Sequence, residues 1–346
     1  MALSLGLLIF SFIITGILII PFINLLYRLK FTRKVEAPKG KKKASLFDVM
    51  HDWKAGTPVG GGILIIGVVS LLFLFIFPFI VYFGLRVNSA YPLQDELRII
   101  FLTFVAFGML GFYDDLVKLF GKPKAGQLGR IFGLSRRWKF FLQWIIALTI
   151  GFLLWGRLGI DIVYIPIVDF VIHLSWWYVV FAAFIVVAFT NAVNITDGLD
   201  GLVGGLLVIC LFAFWIIASS VIDTPLSVFI PLWIGALFAF LYFNVWPARI
   251  WMGDAGALAF GATLAVIGLL TGKIFTLLVI GAIFVAEVVS SSIQIFGWKV
   301  FKRPLFRIAP FHLLLQSIGW EEPKIVMRAW LAGAMLAIFG LWLAFI

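Results

Sequence analysis

The chain is poor in the residues that build disulfides and zinc sites. Its 346 residues include one cysteine and three histidines. Because the cysteine, Cys210, stands alone inside a long apolar run, a disulfide framework is excluded. Without a cluster of Cys and His side chains, a zinc site built from nitrogen and sulfur ligands is not expected.

Charged residues are scarce as well, and this scarcity limits which classes of protein the chain can belong to. Charged residues make up 12% of the chain and hydrophobic residues 63%, and the mean hydropathy is +1.14. Soluble domains have roughly 45–50% apolar and about 25% charged residues. The composition therefore excludes a soluble domain and predicts an integral membrane protein.

Ten apolar runs are long enough to cross a bilayer as helices, which takes about 20 residues each. They cover 4–27, 59–84, 97–113, 138–156, 174–190, 199–222, 225–245, 256–272, 274–298 and 323–346. Apolar and polar residues do not alternate in these runs, as they would in the strands of a membrane barrel. We therefore predict an all-α integral membrane protein with about ten transmembrane helices, forming a single domain over residues 1–346.

The basic residues are distributed unevenly between the two sides of this predicted bundle. The side reached after the odd-numbered spans carries 23 of the 27 Lys and Arg residues. The opposite side carries four: Arg86, Arg98, Arg157 and Lys273. By the positive-inside rule the basic side is cytoplasmic, so both termini are predicted to be extracytoplasmic. The cytoplasmic side then carries the longer polar loops, which are 28–58, 114–137, 191–198, 246–255 and 299–322. Their positive charge favours anionic membrane lipids or a phosphorylated substrate, and no nucleic-acid-binding fold is visible.

The acidic residues distinguish an enzyme from a transporter. Five of them lie at the cytoplasmic ends of spans, namely Asp114, Asp115, Asp197, Asp200 and Asp254, whereas only Glu287 lies within a span. Five others are expected in ordinary loops on the opposite side: Asp95, Glu96, Asp161, Asp169 and Asp223. A carboxylate at the bilayer centre costs about 2.5–3.5 kcal/mol, and ion carriers place acids there despite this cost. The pattern therefore favours an enzyme at the membrane surface over a transporter or a flippase.

Each of these acids also has a simpler structural interpretation. Asp197 with Asp200, or Asp254 alone, would cap the helix that follows. Asp114 and Asp115 end the third span. If the helix stops there, they lie at the negative end of its dipole and need a cation, either Lys118 or a bound metal; if it continues through "LVKLF", this argument weakens.

The ligand chemistry of these acids favours a particular metal. Oxygen ligands without Cys or His favour Mg²⁺, with Mn²⁺ as the alternative. The N-termini of the sixth and eighth spans face the same side and are expected to bind anions. Metal, phosphate and lipid together predict phosphoryl transfer at the membrane.

Several motifs also resemble a known family. "FYDDLVK", "NAVNITDGLDGL", "NVWPARIWMGDAGALAFG" and "RIAPFHLLLQSIGWEEPKIVMRAW" resemble the polyprenyl-phosphate N-acetylhexosamine-1-phosphate transferases in order and spacing. "HDWKAGTPVGGG" and "GLSRRWKFFLQ" are similar to motifs of the same enzymes. The resemblance covers nearly the whole chain and is strongest to the branch that uses UDP-MurNAc-pentapeptide.

This resemblance implies a reaction, a location and an assembly. The branch transfers phospho-MurNAc-pentapeptide from UDP-MurNAc-pentapeptide to undecaprenyl phosphate, giving lipid I and UMP for peptidoglycan synthesis. The enzyme would lie in the bacterial cytoplasmic (inner) membrane, with its active site facing the cytoplasm, and would form a homodimer. The alternative within the family is a transferase of GlcNAc-1-phosphate or another HexNAc-1-phosphate onto the same lipid.

The resemblance also assigns roles to individual residues. Asp254 would bind Mg²⁺ together with Asp115, and one residue of the pair Asp114 and Asp115 would act as base or nucleophile. His312 would contact the pyrophosphate or act in catalysis. The matched substrate-binding residues are Lys54, Thr57, Asn191, Asn194, Asp197, Gly198, Leu199, Asp200, Asn244, Trp251 and Gln294.

Some of these assignments have alternatives, and one motif departs from the family. Trp251 would stack on uracil or anchor the chain at the membrane interface, and Lys54 would otherwise be an ordinary cytoplasmic lysine. Glu287 is expected to be an interhelical hydrogen-bonding group and not catalytic. The family carries three consecutive histidines where this chain has "APFHLLLQ", which keeps only His312 and follows it with Leu313 and Leu314. This loss bears on rate and specificity, and a non-catalytic homologue is the opposing hypothesis.

Overall fold

The computed structural model describes residues 2–33, 54–83, 87–120 and 135–346. The predicted loops 28–58 and 114–137 therefore lie partly outside the described residues, as do the first three residues of the motif "HDWKAGTPVGGG". Within the described ranges the chain forms twelve α-helices and one small β-hairpin.

The helices follow one another along the chain with short connections. They are α1 (Ala2–Arg28), α2 (Gly61–Tyr82), α3 (Leu93–Phe120), α4 (Arg136–Leu158), α5 (Trp177–Thr196), α6 (Leu202–Ser220), α7 (Thr224–Asn244), α8 (Gly253–Leu270), α9 (Ile274–Ile280), α10 (Ala282–Val300), α11 (Phe311–Ser317) and α12 (Glu322–Phe345). The hairpin lies between α4 and α5. Its antiparallel strands are β1 (Ile162–Ile165) and β2 (Phe170–His173), with Ile162 opposite His173.

Ten of these helices are long and apolar enough to span a membrane, which confirms the predicted class and number of spans. The two short helices are α9 and α11. Two predicted boundaries were wrong. The third helix continues to Phe120, so Asp114 and Asp115 lie in its last two turns and not at its end. The predicted ninth span is divided at Gly281 into α9 and α10.

Small residues bring α8 to the centre of the bundle, where it packs against α2, α3 and α5. Its sequence, "GDAGALAFGATLAVIGLL", is buried apart from Asp254. A methyl group added to Gly111 of α3 would lie 2.1 Å from the carbonyl oxygen of Asp254, and one added to Gly62 would lie 2.2 Å from the Cα atom of Gly256. The backbones of α2 and α3 therefore touch the first turns of α8, and this contact places the acids of α3 beside Asp254.

Another close approach joins α6 to α12. A methyl group on Gly205 would lie 2.1 Å from the ring of Trp330, so the small residue permits this contact. Gly201 has a different role, because it precedes α6 with a φ of 80°, a left-handed conformation that glycine adopts most easily.

A second expectation was wrong at the far end of the bundle, which is the end away from Asp254. Glu96 and Asp223 were predicted in ordinary loops, but both are buried. Asp223 caps α7 by accepting a hydrogen bond from the Leu226 amide at 2.9 Å, and burial raises the pKa of its carboxyl. The Ser89 hydroxyl donates a hydrogen bond to Glu96 Oε2.

Both termini lie at this far end. The chain after α1 runs through Phe31 and Arg33, whose backbones pair with residues 57–59, next to Trp251. The start of α12 lies at the same end of the bundle, because Glu322 contacts Lys54. Since a helix of 27 residues is about 40 Å long, the first residue of α1 and the last of α12 lie away from these polar contacts.

Candidate active site

Four charged side chains from three helices meet at one end of the bundle. Lys118 of α3 contacts Asp114 Oδ2 at 3.1 Å and Asp254 Oδ2 at 2.7 Å. Lys139, from the first turn of α4, contacts the same two oxygen atoms, that of Asp114 at 2.9 Å. We call Asp114, Asp254, Lys118 and Lys139 the acid–lysine cluster. It joins residues that are 140 positions apart. The side chain of Asp114 is 2% exposed and that of Asp254 is 14% exposed.

Asp115, the neighbour of Asp114, has a different set of partners. Its Oδ1 accepts a hydrogen bond from the Asp254 amide and its Oδ2 accepts one from the Ala255 amide, both at 3.1 Å. These are amide groups of the first turn of α8, which has no side-chain cap of its own. Asp115 therefore caps α8 from another helix and holds Asp254 beside the acid pair of α3.

Lys54 forms the centre of a second group of charges. Its Nζ lies 2.8 Å from Asp200 Oδ1 and 2.5 Å from Glu322 Oε1, and its side chain is 1% exposed. The Glu322 oxygen also accepts a hydrogen bond from the Asp200 amide at 2.6 Å. We call Lys54, Asp200 and Glu322 the Lys54 cluster. The interpretation of Lys54 as an ordinary cytoplasmic lysine is therefore wrong.

Trp251 lies against the Lys54 cluster. Lys54 Nζ is 4.9 Å and the Arg33 guanidinium carbon 4.8 Å from the centre of its ring. The residue is 9% exposed, so the interpretation as an interfacial anchor is wrong. Its amide donates to the Pro58 carbonyl at 2.8 Å, and the neighbouring Thr57 carbonyl accepts from the Arg33 amide at 2.9 Å. These backbone bonds tie the segment that contains Lys54 and Thr57 to the start of α8.

Asp197 lies in the turn between α5 and α6, close to both clusters. Burial and the negative charges of Asp254, Asp115 and Asp200 raise its pKa to about 7. Asn191 and Asn194 precede it at helical spacing on α5, and both are half-buried. The Asn191 amide donates to Gln143 Oε1 of α4 at 2.8 Å.

His312 approaches the same turn from the other side. Its Nδ1 lies 3.1 Å from Glu287 Oε2, and its backbone amide donates to Glu287 Oε1 at 3.1 Å. Its Nε2 would be 2.5 Å from a methyl group on Gly198, so the absence of a side chain there allows the imidazole to reach the turn. Leu199, the next residue, is buried. Glu287 therefore has the predicted hydrogen-bonding role between helices, with His312 of α11 as its partner.

The two remaining predicted residues hold loops. Asn244 donates through Nδ2 to the Ile250 carbonyl at 2.9 Å and accepts through Oδ1 from the Gly201 amide at 3.2 Å, so it connects the 246–252 loop with the start of α6. Gln294 donates to the Phe306 carbonyl and accepts from the amides of Leu305 and Phe306. These bonds hold the segment after α10, and none of them involves either charged cluster.

The structure contradicts the capping interpretations. The residue before α6 is Gly201, and Asp197 follows the last residue of α5. Asp254 is the second residue of α8 and caps nothing. The expected anion sites at these helix ends are also partly filled by the protein, because the first amides of α8 donate to Asp115, and those of Asp200 and Gly201 donate to Glu322 and Asn244.

The donor chemistry fits a magnesium ion that completes its coordination with water and substrate. Among the described residues no group of three or more His, Cys, Asp or Glu side chains converges on one point. The Oδ2 atoms of Asp114 and Asp254 do converge, and two ammonium groups lie between them. Mg²⁺ is usually held by one or two carboxylates plus substrate phosphates and does not need a complete set of protein ligands. The carboxylates of Asp114 and Asp254 therefore suit Mg²⁺.

Sequence reasoning assigned no role to three of the residues that complete the site. Lys139 and Gln143 belong to the quoted motif "GLSRRWKFFLQ", and Glu322 belongs to "GWEEPK", but neither segment showed a charge pattern that marked these positions. One feature of the sequence could have indicated two of them. Lys139 and Gln143 are four residues apart and therefore share a helix face. Lys118 was considered only as a partner for the acids of α3, and it is one.

Comparisons with known proteins identify the family. The model of the glycosyl transferase family 4 matches residues 97–272. The chain is 35% identical to the phospho-N-acetylmuramoyl-pentapeptide-transferase of Geobacillus kaustophilus over 96% of its own length and 95% of the relative's. It is 37% identical to that of Listeria welshimeri, with 95% of each chain covered. It is 34% identical to that of Caldanaerobacter subterraneus over 94% of its length and 93% of the relative's. The chain therefore belongs to glycosyl transferase family 4, among the phospho-N-acetylmuramoyl-pentapeptide-transferases.

Proposed function

We propose that this protein transfers phospho-MurNAc-pentapeptide from UDP-MurNAc-pentapeptide to undecaprenyl phosphate, forming lipid I and UMP in peptidoglycan synthesis. The observation that carries the proposal is the acid–lysine cluster, which α3, α4 and α8 assemble at one end of a membrane-spanning bundle. Its substrates are inferred from the names of relatives that align with nearly the whole chain.

The reaction exchanges one phosphate–oxygen bond for another. An oxygen of the lipid phosphate attacks the phosphorus that carries the sugar, and the bond between that phosphorus and UMP breaks with its electron pair on UMP. The lipid phosphate is already an oxyanion near pH 7, so the protein mainly has to position it. Asp114 would accept the last proton of this phosphate. A route through an aspartyl-phosphate is the alternative, and a burst of UMP without the lipid acceptor would distinguish it.

The charges of the acid–lysine cluster suit the pyrophosphate. Lys118 and Lys139 would offset its negative charge as the bond to UMP lengthens. Asp254 would hold Mg²⁺, which when bound neutralises the pyrophosphate and eases the departure of UMP. Its second protein ligand would be Asp114, whose Oδ2 lies beside the same lysines, because both carboxylate oxygens of Asp115, the ligand expected from the sequence, accept amides of α8. Mn²⁺ would meet the same oxygen ligands.

The second cluster and its neighbours suit the nucleotide. Lys54, Asp200 and Trp251 would form the uridine end of the site, with Trp251 stacking on uracil after Arg33 leaves its ring. His312, held by Glu287, would present Nε2 to the pyrophosphate beside the 197–200 turn. The chain keeps this one histidine of the family's three, and its position against Gly198 supports this role.

The site would face the cytoplasm of a bacterial inner membrane, with both termini outside. This sidedness rests on the basic residues, which lie predominantly on the side of the bundle that carries the two clusters. A homodimer is proposed from the family resemblance, and the mass of the detergent-solubilised protein measured by multi-angle light scattering tests it.

The experiment measures UMP release in nanodiscs that contain undecaprenyl phosphate. The wild type should turn over UDP-MurNAc-pentapeptide with Mg²⁺ and should stop when EDTA is added. Asp254→Asn should lower turnover by about 100-fold or more, since a positioned charge or metal contributes several kcal/mol to such a step. Asp114→Asn and Asp115→Asn should also lose most activity.

Asp169→Asn, which changes an exposed aspartate at the far end of the bundle, is the matched control. Near-wild-type turnover by Asp254→Asn would exclude its metal role. Turnover of UDP-GlcNAc in preference to UDP-MurNAc-pentapeptide would replace the proposed substrate with the HexNAc alternative. A folded wild type that binds substrate without turnover would support the non-catalytic hypothesis.

A further inference from the structure

We propose that Glu322 is a positioning residue for the nucleotide end of the site. It would act through Lys54 and Asp200 and would not touch the reacting atoms. The inference rests on the proposed function, because that function assigns Lys54 and Asp200 to the nucleotide-sugar.

A single oxygen of Glu322 connects three parts of the chain. Its Oε1 lies 2.5 Å from Lys54 Nζ and accepts the Asp200 amide at 2.6 Å. Lys54 belongs to the segment before α2, Asp200 to the turn before α6, and Glu322 to the first turn of α12. Because α12 packs against α6, this oxygen is held at a fixed place relative to the turn.

These contacts determine where the Asp200 carboxylate points. Its Oδ1 is 2.8 Å from Lys54 Nζ, and its Oδ2 accepts the Ala248 amide at 2.9 Å. Glu322 holds the backbone of the same residue, so Asp200 is fixed at its amide and at both carboxylate oxygens. The Lys54 ammonium is held between two carboxylates and lies 4.9 Å above the Trp251 ring. Loss of Glu322 would release Lys54 and the Asp200 backbone together.

Among the described residues, Glu322 forms its hydrogen bonds and ion pair with Lys54 and the Asp200 amide, and none with Asp114, Asp254, Lys118 or Lys139. Its removal should therefore weaken the binding of the nucleotide-sugar and leave the chemical step largely unchanged. A residue that only stabilised the fold would lower the amount of active enzyme and would leave KM unchanged.

The adjacent residue supplies a matched control. Glu321 carries the same charge and is exposed, and its backbone carbonyl, not its side chain, accepts the Ile325 amide. Glu321→Ala therefore removes a carboxylate one position away without disturbing the Lys54 cluster.

The test measures UMP release at varied UDP-MurNAc-pentapeptide and saturating undecaprenyl phosphate, with UMP binding measured by calorimetry. Glu322→Ala should raise KM and the Kd for UMP by about 10-fold or more, as expected for a lost hydrogen bond to a charged group. Its kcat should stay within about threefold of the wild type. Glu322→Gln should show a smaller rise, because its carbonyl oxygen still accepts both hydrogen bonds. Glu321→Ala should match the wild type.

The outcomes separate the inference from the proposed function. A wild type that releases no UMP from UDP-MurNAc-pentapeptide would contradict the function itself. An active wild type, together with unchanged KM and UMP affinity in Glu322→Ala, would overturn only the role of Glu322. If Glu322→Ala fails to fold, Glu322→Gln decides, and a fall in its kcat at unchanged KM and UMP affinity would likewise overturn the inference.

Discussion

At the scale of single residues, the charges of the acid–lysine cluster and of the Lys54 cluster occur in contact with charges of opposite sign. Asp114 and Asp254 share Lys118 and Lys139, and two carboxylates share Lys54. A buried charge without a partner costs several kcal/mol, so each cluster requires its counter-charges. Asp197 differs, because the strongest charges near it are negative.

This environment predicts a pH-dependent contribution of Asp197 to stability. Its pKa rises from 3.8 to about 7 on folding, so the folded protein retains a proton that the unfolded chain releases. The stabilising contribution is therefore complete below about pH 4 and is lost as the pH rises through 7. The thermal unfolding midpoint of the wild type, measured in EDTA, should fall between pH 5 and pH 8 by more than that of Asp197→Asn.

Asp169→Asn serves as the control for this measurement and should keep the wild-type pH dependence. Identical pH profiles for the wild type and Asp197→Asn would show that Asp197 is ionised across the whole range.

At the scale of elements, close helix contacts place the acids. The α3 and α8 backbones touch at Gly111, four residues before Asp115, and Asp115 then caps α8. This contact sets the distance between the acid pair of α3 and Asp254. A side chain at Gly111 would meet backbone and not a flexible neighbour, so the helices themselves would have to move.

Gly111→Ala should therefore lower both stability and activity. The added methyl group would lie 2.1 Å from the Asp254 carbonyl oxygen, and overpacking of this kind costs about 1–3 kcal/mol or more. The unfolding midpoint and the rate of UMP release should both fall. Gly67→Ala in α2 is the matched control, because nothing lies within 4 Å of its added methyl group. If Gly111→Ala kept full activity, the helix contact would not be what positions the acids.

At the scale of the whole molecule, ten spans place both termini at the end opposite the two clusters, and the basic residues predict which end faces the cytoplasm. Asp169 lies beside the hairpin at the far end, whereas Arg307 lies in the segment after α10, and both are exposed. The single cysteine, Cys210, is buried, so it gives little background in a labelling experiment.

A membrane-impermeant maleimide added to intact cells should label Asp169→Cys. It should label Arg307→Cys only after the membrane is permeabilised. Wild-type protein, with Cys210 alone, is the control and should remain unlabelled in both conditions. The reverse pattern for the two variants would invert the proposed orientation.

The sequence by itself determined the membrane class, the ten spans and the acids that meet at one end. Hydrophobicity and charge are local properties, so they can be recognised along the chain without knowledge of contacts. The continuation of α3 to Phe120 stayed an open alternative in the sequence, because the charges of Asp114, Asp115 and Lys118 resemble the end of a span. In the fold, Asp114 and Lys118 pair one turn apart and the helix continues.

Only the tertiary structure decided which partner each charge has. Asp115 caps a helix that starts 138 residues later, and Glu322 reaches Lys54 across 268 positions. Such pairs depend on how glycine contacts bring separate helices together, and no local pattern specifies that geometry. The same physical reason explains why capping was predicted for Asp197 and Asp254, since a nearby helix start is visible in sequence and a distant lysine is not.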